Sequence, residues 1–461
     1  MAYKSTNPYN GITIAAFDEH DNAAVEARLQ AAASCFERDW RQRSYAERTV
    51  VLKRAAALMR ERADELAKLI TVEMGKLLAQ SKGEVALSAA ILDYYADHAQ
   101  AFLMPEELNS PGTDSMVESC PIGVLLGIEP WNYPYYQIAR FAAPNLMAGN
   151  VVMVKHASNV PQCALAFEQL LHDAGAPAGA YTNLFISAEQ VGRLIDDPRI
   201  RGVALTGSEA AGAVVAARAA QNLKKSTLEL GGSDAFIVLA DADLDDAVKH
   251  AVSGRMGNSG QACTASKRFI VVEPLAERFL ALFSQALGKF HAGDPLDAGT
   301  TLAPLSSERA LTMLLEQVDG AVAAGARVVM GGARIDTPGA FMQPTILTDI
   351  SAANPAYKEE FFGPVALFFR VADEDAAVAL ANDSPFGLGG SVFTRDIERG
   401  KRVARRIDTG MVFINSAAVT SPELPFGGVK HSGYGRELSR MGIQEFVNKK
   451  LIRSGNVAAA V

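Results

Sequence analysis

Three residues of types that carry out acyl chemistry stand at separate points of this 461-residue chain: Asn132, Glu229 and Cys263. Cys263 lies in GNSGQACTASKRFIV, where Gly257 and Gly260 free the backbone to bend and to approach a ligand. An ordinary thiol is mostly protonated at neutral pH, so a nucleophilic cysteine needs donors or positive charge to hold its anion. The plain alternative is a buried cysteine acting as a small hydrophobe. Glu229, in STLELGGSDAF, stands among apolar residues just before a Gly-Gly turn. A carboxyl kept in such a place has a raised pKa and suits a general base, or else it is satisfied by neighbouring N–H groups. Asn132 follows Trp131 at the end of an apolar run. There its amide can donate into a cleft, or it can serve only as a turn residue before Pro134.

A candidate anion cradle follows the run GVALT. Gly207 and Gly212 in TGSEAAG form a G-x-x-x-x-G turn ahead of an alanine-rich stretch. The N–H groups at such a helix start hold anions. This is not the G-x-G-x-x-G dinucleotide fingerprint, and an ordinary tight turn reads the same way.

The elements that must position these residues show in the hydropathy pattern. Residues 22–100 place apolar side chains at three- and four-residue intervals and predict helices. From about 120, short apolar runs (IGVLLGIEPW, VVMVKH, TNLFIS, GVALTG, TLELGG, FIVL) alternate with helical stretches. A second series runs from about 265 to 415: RFIVVE, ARVVMGG, FMQPTIL, VALFFRV, SVFT and GMVFIN. The expected fold is α/β, with two parallel-sheet domains joined near residue 232. Residues 103–120 are turn-rich and predict a hairpin, and the tail carries one more strand candidate, KKLIRSG.

Composition excludes several classes of function. The length exceeds what one core serves. A net charge of −8 without a basic block argues against a nucleic-acid partner. No apolar run reaches the roughly 18 residues of a membrane span, and the amino terminus lacks a signal-peptide pattern. Cys35, Cys120, Cys163 and Cys263 form no CxxC pair, so no metal site or disulfide scaffold is expected, and a reduced, cytoplasmic setting is.

Taken together, PWN at 130–132, TGS at 206–208, ELGG at 229–232, GQAC at 260–263, EEFFGP at 359–364 and PFGGVKHSGYGRE at 425–437 resemble the aldehyde dehydrogenase superfamily in order and spacing. The resemblance covers nearly the whole chain, and its motifs are nearest those of the NADP-dependent succinate-semialdehyde dehydrogenases. It implies two Rossmann-type domains, residues 1–102 with 121–231 for the dinucleotide and 232–432 for catalysis. A small β element, 103–120 with 433–461, would pair subunits into a homodimer or homotetramer.

By the same resemblance, Cys263 attacks the aldehyde carbon, and the Asn132 amide with the Cys263 N–H holds the oxyanion. Glu229 activates the hydrolytic water; relatives that pass the acyl group to coenzyme A generally lack it. Glu360 and Phe362 would hold the nicotinamide ribose and ring. Trp131, Gly207 and Ser208, at the turn that Gly212 completes, would hold adenosine and diphosphate. Where many NAD-preferring relatives carry a glutamate after the strand VVMVK, this chain has Ser158. With Lys155 it would favour NADP over NAD. Arg140 matches an arginine that binds the distal carboxylate in succinate-semialdehyde dehydrogenases, and Ser421 matches a pocket serine of the same group. A second arginine of some such enzymes is Gly257 here, which leaves a broad-range aliphatic or aromatic aldehyde dehydrogenase as the alternative.

Overall fold

The N-terminal helices begin and end where the sequence supplies stops. Asp21 accepts from the Ala24 N–H to start helix Asn22–Arg38, and Ser44 with Glu47 forms a capping box for Tyr45–Glu61. Helix Ala63–Met74 ends on left-handed Gly75, and the long helix Leu78–Phe102 follows. The structure, a computed structural model, describes residues 3–110 and 113–455.

Among the described residues, a six-stranded sheet has the order Gly433–Tyr434, Lys225–Glu229, Ile200–Thr206, Val124–Glu129, Val151–His156, Tyr181–Asn183. All neighbours are parallel except Gly433–Tyr434, which runs antiparallel beside Lys225–Glu229. From the central strand Val124–Glu129 the chain first winds to one side, through Val151–His156, and then returns to the other, through Ile200–Thr206. The carboxyl ends of Val124–Glu129 and Ile200–Thr206 therefore flank a topological switch point, where open α/β sheets leave a crevice for ligands.

A second, seven-stranded sheet has the order Arg327–Met330, Thr345–Thr348, Val365–Val371, Ser266–Val272, Asp234–Val238, Gly390–Phe393, Phe413–Ile414. Only Arg327–Met330 is antiparallel to its neighbour. Its two faces bury separate cores: Ala235, Ile237 and Ile270 lie in one, and Phe236, Val238, Phe269 and Val271 in the other. That alternation is the period-two signature of a strand covered on both sides. Both α/β sheets expected from the sequence are present.

The expected hairpin forms from Glu106–Ser110 and Thr113–Pro121, with Val447–Arg453 pairing antiparallel to the latter. Residues 111–112 and 456–461 of that element lie outside the described residues. One strand is shorter than its apolar run. TNLFIS contributes only Thr182 and Asn183 to strand Tyr181–Asn183, because the backbone beyond takes other partners. The Phe185 carbonyl accepts from the His20 N–H, and the Ile186 N–H donates to the Tyr3 hydroxyl. Tyr3 belongs to an N-terminal antiparallel pair, Tyr3–Thr6 with Thr13–Phe17, that hydropathy did not mark.

Candidate active site

A cleft of about 810 Å³ opens at the switch point, where the carboxyl ends of the first sheet face the loop that enters Ser266–Val272 of the second. Asn132, Glu229 and Cys263 all line it.

Asn132 sits between the end of Val124–Glu129 and the helix Pro134–Ala148, whose Pro at the first turn needs no N–H partner. Its side-chain Nδ2 donates to the Gln261 carbonyl at 3.1 Å, and its Oδ1 lies 3.5 Å from Gln137 Nε2. An amide nitrogen has two hydrogens, so the second is left for an acceptor in the cleft.

Cys263 lies in a loop with few conformational alternatives. Asn258, Ser259 and Gly260 all have positive φ, at 52°, 53° and 77°. A Cβ on Gly260 would fall 2.3 Å from the Gly363 carbonyl oxygen, so the glycine lets the GQAC loop press against the EEFFGP loop. Buried Lys267 then ties both together. Its Nζ donates to the carbonyls of Ala262 at 3.0 Å and Cys263 at 2.8 Å, and pairs with Glu360 Oε1 at 3.0 Å. Cys263 keeps partial exposure. Burial pushes its thiol up to about 12; Arg140 and Lys267 pull the other way, and Glu360 and Glu229 add to the rise. A group must therefore take the proton when the thiol attacks.

Glu229 ends strand Lys225–Glu229 with 3% exposure, and neither carboxyl oxygen has a hydrogen-bond partner among the described residues. Burial holds its pKa well above the ordinary carboxylate range, with Glu437 reinforcing and Arg140 opposing. A carboxyl whose pKa is raised in this way holds a proton more strongly than an ordinary one, which suits a group that takes a proton from water. Its Oε1 faces Gly427, where a Cβ would intrude to 2.6 Å.

The rest of the cleft fits a dinucleotide. Trp131 and Phe362 meet edge to face with centroids 5.8 Å apart. The Glu360 carboxylate is fixed by Lys267 and by the Gly232 N–H, at 3.1 Å. Ser208 caps helix Glu209–Gln221, and its Oγ accepts from the Ala211 N–H. A Cβ on Gly212 would lie 2.7 Å from Leu230 Cδ2, so this glycine seats that helix against the end of strand Lys225–Glu229. At Gly207 a Cβ would meet only Leu205, at 3.6 Å, which leaves the turn open to a ligand. An aromatic pair, a fixed carboxylate and a helix start match a ring, ribose hydroxyls and a phosphate.

Lys155 and Ser158 lie one strand over, at the same carboxyl edge, with Lys155 registered opposite Ile128. They are not among the residues walling the cleft. Lys155 sits 5.8 Å from the Tyr3 ring, its pKa lowered by burial, and the Ser158 carbonyl accepts from the Lys4 N–H.

The two residues expected to meet the substrate have other partners in this structure. Arg140 does not present a free fork to the cleft. Its guanidinium is ion-paired with Glu437 and donates to Tyr136 Oη and Thr206 Oγ1, each at 3.1 Å, and Phe426 covers its face. Three buried acids, Glu129, Glu229 and Glu437, surround this one cation, and their charge claims it. Ser421 also lies off the cleft walls: its hydroxyl donates to Glu423 Oε2 at 2.6 Å.

Sequence reasoning missed Lys267, Asn258, Glu437 and the buried pair Lys76–Glu84. Glu437 closes the SGYGRE motif, so a signal for it was present. The others read as ordinary surface charges or turn residues.

A family model described as the aldehyde dehydrogenase family matches residues 1–452. Over 452 residues the chain is 54% identical to the succinate-semialdehyde dehydrogenase, NADP(+), of Deinococcus radiodurans, spanning 98% of this chain and 94% of that protein. It is 46% identical to a probable succinate-semialdehyde dehydrogenase, NADP(+), of a Synechocystis species, over 98% and 99% of the two chains. The crystal structure of succinic semialdehyde dehydrogenase from Streptococcus pyogenes, in complex with NADP+, has a TM-score of 0.97 and 46% identity, covering 99% of this chain and 100% of that one. With the motifs, the switch-point cleft and these full-length matches in agreement, the chain belongs to the aldehyde dehydrogenase family.

Proposed function

We propose that this enzyme oxidises succinate semialdehyde to succinate with NADP through a thioester on Cys263. The observation that carries the reading is the convergence of Cys263, Asn132 and Glu229 on one cleft. The Cys263 sulfur attacks the aldehyde carbon and its proton passes to a base. The free Asn132 N–H and the Cys263 N–H hold the oxyanion as it forms. NADP, when bound, supplies the hydride acceptor. Trp131, Phe362, Glu360, Gly207, Ser208 and Gly212 shape the site that holds it, and Lys155 and Ser158 set its 2′-phosphate preference, since no carboxylate stands after Val151–His156 to repel it. Glu229 then takes a proton from the water that cleaves the thioester to acid and thiol.

The names of the relatives support the semialdehyde. The engaged state of Arg140 favours a second reading, a broad-range aldehyde dehydrogenase. In the first reading Ser421 still faces the distal carboxylate after releasing Glu423. A cytoplasmic setting and pairing of subunits through Glu106–Ser110, Thr113–Pro121 and Val447–Arg453 belong to the same proposal. So does the division into 1–102 with 121–231, 232–432, and 103–120 with 433–461.

Initial rates with succinate semialdehyde, glutarate semialdehyde and a neutral aldehyde, each with NADP and NAD, test it. Succinate semialdehyde with NADP should give the highest kcat/KM. An equally good neutral aldehyde would establish the broad-range reading, and equal or better rates with NAD would overturn the cofactor preference.

A further inference from the structure

Behind Asn132 stands a buried ion pair where apolar packing would cost less. Lys76 follows helix Ala63–Met74, and Glu84 lies on Leu78–Phe102; their side chains are each 1% exposed and paired. Desolvating two charges is rarely repaid by their attraction alone, so further bonds must be sought. Lys76 Nζ also donates to the Asn132 carbonyl at 2.9 Å and lies 3.6 Å over the Tyr133 ring. Glu84 Oε1 accepts the N–H groups of Tyr135 at 2.9 Å and Tyr136 at 3.3 Å, at the start of Pro134–Ala148. One ion pair thus grips the main chain on both sides of Pro134.

The other side is held as well. Asn258 Nδ2 gives the Asn132 carbonyl its second bond, at 3.0 Å, and also donates to the Gln261 carbonyl at 3.1 Å. That same Gln261 carbonyl receives Asn132 Nδ2. Main chain and side chain of Asn132 are therefore anchored at once, and one amide hydrogen remains.

We propose that Lys76 and Glu84 are positioning residues for the oxyanion donor: they fix the Asn132 backbone so that its remaining N–H is aimed before the substrate arrives. The inference rests on the reading of Asn132 given above. A donor that must be re-aimed during reaction loses most of its advantage, and misplacement by about 1 Å costs on the order of a hundredfold.

The test uses Lys76→Met/Glu84→Gln, which removes both charges together and leaves neither buried alone. The expected result is a kcat lowered about ten- to a hundredfold, with KM and the NADPH dissociation constant, read by fluorescence titration, within about twofold of native. In an Asn132→Ala background the same pair of changes should lower kcat by less than about twofold, because the donor they aim is gone. A purely structural role would lower kcat alike in both backgrounds and shift NADPH binding. Native-like kcat in the folded double variant, or an additive loss, overturns the proposal. If that variant does not fold, Glu84→Gln alone, which keeps shape and acceptor, is read by the same cycle and the same criteria. Asn132→Ala by itself tests the underlying reading: unchanged kcat there removes the oxyanion assignment whatever Lys76 does.

Discussion

A thiol lifted to about 12 attacks slowly unless its proton has somewhere to go, and Glu229 beside it is raised too, by burial and by Glu437. The sign follows directly. The reactive forms, thiolate and carboxylate, both lose protons, and both pKa values lie above their ordinary range. Productive protonation therefore accumulates as pH rises. The account predicts kcat, which reports both acylation and hydrolysis, still increasing with pH above neutrality rather than levelling off near the ordinary carboxylate range. A pH profile flat above about 6 would contradict it. These residues were legible in the sequence because motif order named them. Arg140 was legible as a cation but not in its partner: nothing local to QIARF says that Glu437, far along the chain, will take its guanidinium.

Strands were legible because both sheets are buried on two faces, so each central strand reads as a continuous apolar run. What the runs could not convey is where a strand stops when another segment claims its backbone, as Tyr3 and His20 do after Asn183. Nor do they mark a polar residue within a core strand. Asp234 begins Asp234–Val238; burial raises its carboxyl to about 6, and its Oδ1 accepts from the Gly389 N–H at 3.0 Å. The folded value lies above the unfolded one, so the native state prefers the protonated form. Ionisation then subtracts stability as pH climbs from about 4 through 6, by up to about 3 kcal/mol. Asp234→Asn cannot ionise. Its stability relative to native, from denaturant midpoints, should improve steadily between about pH 4 and 7. A difference that stays constant with pH would refute this assignment.

Neither sheet holds the reaction alone. Asn132 and Glu229 come from the carboxyl edge of the first, and Cys263 comes from the loop entering the second. Two α/β units could be read from two series of apolar runs. The contacts that fix their loops could not, because Lys267 with Glu360 and Gly260 against Gly363 are pairs distant in sequence. The central claim is that these parts meet to build a thioester on one sulfur. It is tested most directly with Glu229→Gln, which keeps the nucleophile and removes the group assigned to hydrolysis. Mixed with succinate semialdehyde and NADP, this variant should release about one NADPH per site in a burst and then nearly stop. Peptide mass analysis should find a succinyl group on the peptide carrying Cys263. A burst without that adduct, an adduct on another residue, or steady turnover at the native rate would contradict the account.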